Sequence, residues 1–92
     1  MTFVEATSLI ESLKPGMRVR VVRHGGTPAV MTVTRGPHRS NGAFGDAYSL
    51  AVTLSFGPGR YITDVAVDHL VRRRGRGGRG WIGGGTAMEL AE

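Results

Sequence analysis

The stretch that constrains this chain most is SLAVTLSFGPGRYITDVAV, residues 49–67, in which two alternating runs flank a short Gly/Pro turn. Leu50, Val52, Leu54 and Phe56 fall on one side of an extended chain and Ser49, Ala51, Thr53 and Ser55 on the other. A half-buried strand requires that period of two. Gly57-Pro58-Gly59-Arg60 supplies the turn, and pairing Phe56 with Tyr61 sets Leu54 opposite Thr63, Val52 opposite Val65 and Leu50 opposite Val67. A slip of one residue would set Val52 against Asp64, so the apolar pattern fixes the register of an antiparallel hairpin.

An earlier segment repeats the pattern. Met17, Val19 and Val21 alternate with Arg18 and Arg20, while Ala29, Met31 and Val33 alternate with Val30, Thr32 and Thr34. With HGGTP as the hairpin loop, Val19 faces Val33, Val21 faces Met31, Arg18 faces Thr34 and Arg20 faces Thr32. Between the two hairpins Gly36 to Asp46 holds no sustained period and four glycines or prolines, which predicts a long exposed loop. Ahead of the strands, Thr2-Phe-Val-Glu5 has the form of a capping box, and Phe3, Ala6, Ile10 and Leu13 recur at helical spacing until Pro15-Gly16. A second box, Ser8-Leu-Ile-Glu11, would give a later start. After the second hairpin, Asp68-His69-Leu70 predicts a helical turn and Val71 to Arg73 a last brief strand.

A chain of 92 residues holds one compact domain and leaves little room for a large enclosed active site. Four to five short antiparallel strands, with one long early loop and a single turn before the final strand, predict a mainly β fold, a small SH3-like barrel. The expected organisation is an N-terminal helix over residues 1–14, the barrel over 15–73 and a flexible Arg/Gly-rich C-terminal extension over 74–92.

The segments LKPGMRVRVVRHGGTPAVMTV and YSLAVTLSFGPGRYITDVAVDHLVR resemble the small bacterial YodC-like proteins of unknown function. Shared features are the Pro-Gly before an apolar-basic strand, the Gly-rich turn before a Met-Thr-Val strand, and an acidic residue ahead of a Leu-Val ending. The resemblance runs from Leu13 to Arg72 and implies the same barrel; this chain departs from it in a longer Gly-rich turn, a longer middle loop and added ends. Gly16, Val19 and Val21 also resemble the opening strand of KOW-type modules, which implies RNA or a polymerase as a class of partner and no particular residue.

Eleven arginines and one lysine against seven acids give a net charge of +5, of which residues 71–92 carry +3. Such a balance favours polyanionic partners. The absence of cysteine removes disulfides and thiolate zinc sites and fits an intracellular setting. No basic flank precedes the first apolar residues, and no apolar run approaches the ~20 residues that cross a bilayer, so neither export nor a membrane partner is expected and the cytoplasm is the expected location. Arginine in place of lysine also fits a GC-rich bacterial or phage genome.

The chemistry concentrates in VRRRGRGGRGWIGGG, residues 71–85, with five arginines, seven glycines and the single tryptophan. Arg72, Arg73, Arg74, Arg76 and Arg79, spaced by glycine and followed by Trp81, resemble RGG-type segments of RNA-binding proteins: guanidinium groups pair with phosphate, and an indole stacks on a base. The GRGGRG within it matches a dinucleotide fingerprint, but Trp81-Ile82-Gly83-Gly84-Gly85 follows where that motif needs a helix. Arg18, Arg20 and Arg23, with Arg35 and Arg39 nearby, are expected either to form a second phosphate-binding patch or to be the solvated face of a charged edge strand. His24, His38 and His69 lack metal-site spacing, and Asp68 and His69 are adjacent residues that an extended chain points apart. No activated nucleophile completes a catalytic set.

The final TAMELAE has a Thr86-x-x-Glu89 box but is too short for an isolated helix, and Met88 and Leu90 have either a partner or the barrel as their anchor. The sequence therefore predicts a non-catalytic module without cofactor or metal that binds RNA or DNA through Arg72, Arg73, Arg74, Arg76, Arg79 and Trp81, with Arg18, Arg20 and Arg23 in support. The alternative is a protein-interaction or assembly module, of phage origin, whose tail orders on an acidic protein partner.

Overall fold

A computed structural model describes residues 1–23, 26–41, 48–57, 62–74, 81–82 and 84–91. The first element is helix α1, Phe3–Ser12. Its capping box is formed as the sequence predicts: the Glu5 amide donates to Thr2 Oγ1 at 3.1 Å and the Thr2 amide to Glu5 Oε1 at 2.8 Å. The backbone hydrogen bond from Thr2, then that from its side chain, holds the Glu5 carboxyl below its ordinary pKa. Ala6, Ile10 and Leu13 are fully buried, whereas Phe3, one turn before that stripe, is 64% exposed. The apolar face begins a turn later than the spacing predicts.

Strands β1 (Arg18–Arg23) and β2 (Ala29–Asn41) pair antiparallel, with Val19 opposite Met31 and Val21 opposite Ala29. This register is two residues away from the one predicted from the loop. A shift of two preserves which face each residue takes, and Val19, Val21, Met31 and Val33 are all buried as expected. Beyond Val21 the β1–β2 ladder ends, and the Arg23 carbonyl accepts from the Gly26 amide at 2.8 Å.

β2 corrects the expected long loop: residues 36–41 are strand, opposite β3 (Tyr48–Ser55) through pairs such as His38 with Ala51 and Ser40 with Ser49. The ladder shifts between Val33 and Arg35 and again between Arg35 and His38, around Gly36-Pro37. Proline has no amide to donate, so the ladder breaks there, and the resulting bulges hide the alternation from a reading by period. Residues 42–46 of the predicted loop lie outside the described residues.

β3 pairs with β4 (Ile62–Ala66) in the predicted register, Val52 with Val65 and Leu54 with Thr63. Ala51, Val52, Leu54 and Ser55 are all buried, so β3 is covered on both faces rather than one. Phe56, expected on the core side, is 47% exposed just beyond the strand's end, and its predicted partner Tyr61 lies outside the described residues. The short helix α2, Val67–Leu70, forms where a helical turn is predicted and buries Val67 and Leu70.

Three strands then stand where a last brief strand over 71–73 and a flexible extension are expected. β5 (Arg73–Arg74) pairs with β6 (Trp81–Ile82) as a separate two-stranded ribbon, and β7 (Thr86–Leu90) returns to lie against β1. Thr86 and Met88 are buried at 6% and 3% exposure. The segment from Thr86 on is therefore part of the fold: Met88 joins the core formed by α1, α2 and the sheet. The main sheet has the order β4-β3-β2-β1-β7. One five-stranded antiparallel sheet with a short N-terminal helix gives the expected mainly β fold. The two edges, β4 and β7, are not joined by a ladder among the described residues. No helix among them is long and apolar enough to cross a membrane.

Candidate nucleic-acid interface

The Arg/Gly segment leaves and re-enters the fold at fixed points. On the outgoing side Val71 packs against the core, with its amide bonded to the Val67 carbonyl at 3.1 Å, and Arg72 follows, exposed. On the return side Gly84 adopts φ +73°, and its amide meets the Asp68 carbonyl at 3.3 Å. A Cβ on Gly84 would stand 2.8 Å from the Arg72 backbone, so the two sides of the base are in close contact that glycine alone permits. Beyond this base, Arg73 is opposite Ile82 and Arg74 opposite Trp81. Residues 75–80, which connect the two strands and include Arg76 and Arg79, lie outside the described residues. The basic segment is thus an arm held at both ends, with five arginines and no acid between Arg72 and Ile82.

The predicted patch on the sheet divides. Arg18 and Arg20 share the outer face of β1, but the Arg20 guanidinium is paired with Glu89 on β7 at 3.1 Å. Arg23 lies three positions beyond Arg20, and alternation sends it to the opposite face. There it donates to Thr63 Oγ1 at 3.0 Å and to the Asp64 carbonyl at 3.5 Å, bridging β1 and β4. Arg18, Arg20 and Arg23 therefore do not form one surface. Arg35 and Arg39 are exposed on β2.

A polar cluster that sequence reasoning missed spans three strands. Asp64 on β4 accepts from Thr53 Oγ1 on β3 at 2.6 Å and from Ser40 Oγ on β2 at 2.8 Å, with His38 Nε2 at 3.5 Å. His38 Nδ1 stands 2.8 Å from the Gly36 carbonyl, which can only accept, so that nitrogen carries a proton. Burial works to raise the Asp64 pKa, but the hydrogen bonds from Thr53, Ser40 and His38, and the attraction of His38, outweigh it and leave the carboxyl below its ordinary value. Both hydroxyls donate to the carboxylate. The geometry ties β2, β3 and β4 together through one carboxylate.

His69 has a local task as well: its Nδ1 accepts from the Ala66 amide at 2.9 Å and so caps α2. His24 lies outside the described residues. Among the described residues no group of three or more His, Asp or Glu is placed to hold a metal ion.

No family model, no curated protein and no solved structure matches the chain.

Proposed function

We propose that this protein is a non-catalytic nucleic-acid-binding module whose arginine arm, anchored on a small β-sheet body, engages phosphates. The observation that carries the reading is the β5–β6 ladder, which returns the Arg/Gly segment to the body and sets Arg73 and Arg74 on a two-stranded ribbon. Anchoring both ends lowers the entropy lost when the arginines meet a polyanion, compared with a free tail of the same composition. The resemblance of Gly16, Val19 and Val21 to KOW-type modules supports the same class of partner. A protein-interaction role draws support from Phe3 and Val4, 64% and 71% exposed on α1. That face belongs to the helix, and its ligand would be distinct from the arm's.

Salt provides the test. If all five arginines contact phosphates of duplex DNA, log K falls with log salt at a slope of about −4.5, from about −0.9 per phosphate. Replacing Arg76 and Arg79 together by glutamine should flatten that slope by about 2 while leaving the fold intact. Anisotropy titrations of labelled duplex and single strands at several salt concentrations measure both. Undetectable binding at low salt, or a slope indifferent to those two substitutions, would exclude the arm as a phosphate-binding device.

A further inference from the structure

Four strand ends lie at one end of the body: β1 finishes at Arg23, β2 begins at Ala29, β3 finishes at Ser55 and β4 begins at Ile62. Among them, and lined by described residues, is an open depression of about 130 Å³. Its floor is the core itself, Val21 and Met31, each 4% exposed. Room is left above that floor because the ladder partner of Val21 is only an alanine, Ala29. Phe56, half exposed just past the end of β3, supplies an aromatic wall. The polar wall is the Arg23 guanidinium with the Thr63 hydroxyl, to which it donates at 3.0 Å.

Size and chemistry together select a ligand. A dry cavity of about 150 Å³ holds one benzene ring, so a depression of about 130 Å³ suits a single six-membered ring and not a fused pair. A hydrocarbon side chain would suit the floor but would bring no polar edge to the cation and hydroxyl beside it. A pyrimidine base brings both, a flat face for the Phe56 ring and carbonyl oxygens for the positive wall. In a duplex those faces are stacked inward and the protein meets phosphates and groove edges, so only an unpaired base can enter.

The arginine arm reaches the same end of the body. Arg23 is opposite Thr86, the first residue of β7, so the return side of the arm, through Gly84 and Gly85, enters the sheet next to the polar wall. Resting on the nucleic-acid reading above, we propose that this depression takes one pyrimidine base of a single strand, stacked on Phe56, while the phosphates of that strand run on to the arm. The body thereby adds a preference for unpaired pyrimidines to arginines that meet phosphate in any nucleic acid.

The test titrates the full-length chain with oligo-dT, oligo-rU, oligo-dA and a duplex of equal phosphate number at one salt concentration. Anisotropy of the labelled strand gives affinity, and NMR shifts of the Val21, Ala29 and Met31 methyl groups report entry into the depression. Both pyrimidine strands should bind tighter than oligo-dA and the duplex, and they alone should shift those methyls. Phe56→Ala should weaken oligo-dT binding by about 5- to 150-fold, the equivalent of the ~1–3 kcal/mol carried by one stacked base, and leave duplex binding unchanged. Phe56→Tyr, which keeps a ring, should retain most of the preference, whereas Ala29→Leu, which fills the depression and keeps Phe56, should remove it. A difference between oligo-dT and oligo-rU identifies the preferred sugar and supports the inference in either direction. An equal loss for oligo-dT and duplex on Phe56→Ala overturns the inference and leaves the phosphate-binding arm standing. Methyl shifts as large with oligo-dA as with oligo-dT do the same, as do shifts produced by N-acetyltyrosinamide and by none of the strands, the mark of a pocket for a protein's aromatic side chain. Failure to bind any of the four nucleic acids overturns both readings.

Discussion

Gly84 and Gly16 both have positive φ, +73° and +95°, yet a methyl group added to each meets different surroundings. At Gly16 nothing lies within 4 Å, so Gly16→Ala should cost only the left-handed strain of an L-residue, ~1–2 kcal/mol. At Gly84 the methyl would press on the Arg72 backbone, and Gly84→Ala should cost more than Gly16→Ala in urea denaturation; equal costs would show that the contact at the arm's base yields freely. Asp64 makes a second residue-scale prediction. Because its folded pKa is depressed, its stabilisation is complete above the unfolded carboxylate value near ~3.9 and is lost as pH falls through the folded value. Asp64→Asn should remove that acid dependence and cost about 1 kcal/mol at neutral pH, a modest sum because the carboxylate is partly open to water. Denaturant midpoints followed from pH 7 to pH 3 for both proteins would show converging stabilities if the attribution holds. Part of this cluster was legible, since the hairpin register already sets Thr53 opposite Asp64. His38 and Ser40 were not, because Gly36-Pro37 breaks the alternation that would have aligned them with the carboxylate.

At the scale of elements, the segment Thr86–Leu90 shows where local signals and long-range pairing diverge. Its Ala, Met, Glu and Leu favour a helix and its Thr86-x-x-Glu89 spacing mimics a cap, but five residues cannot sustain one, and β1 offers a ladder instead. Period two is present in the pattern, with Thr86 and Met88 buried and Ala87 and Glu89 exposed. It is too short to outweigh helix propensity without knowledge of the partner. Met88→Ala should therefore destabilise the whole domain by ~2–4 kcal/mol, while Leu90→Ala, at a side chain 49% exposed, should change stability by less than ~1 kcal/mol. Thermal and urea unfolding measure the contrast, and a mild effect at Met88 would return the segment to the status of an appendage. The two hairpins were legible to different degrees for a related reason. Alternation excludes a slip of one in both, but it preserves the faces under a shift of two, and the first hairpin takes a register two residues from the one read from its loop.

Over the whole molecule, composition located the excess of positive charge but not its attachment. The sequence places five arginines between Val71 and Trp81, and it is the sheet order β4-β3-β2-β1-β7 that turns this stretch from an ending into an interruption between α2 and β7. That placement is invisible to any local reading, because β1 and β7 lie some seventy positions apart, as the ion pair across 69 positions between Arg20 and Glu89 illustrates. The same order has a consequence in time. During synthesis β1 and β2 can pair early, but β1's other edge has no partner until the far side of the arm has been made, so for most of translation it is an open strand end-on to other chains. Long-range closures of this kind are slow, and unpaired strands invite pairing between molecules. Arg18, Arg20 and Arg23 stand along that edge, and charged residues there oppose such contacts. Once β7 arrives, one of the three acquires new work, Arg20 with Glu89. A charge that guards the unfinished strand becomes a fastening of the finished one.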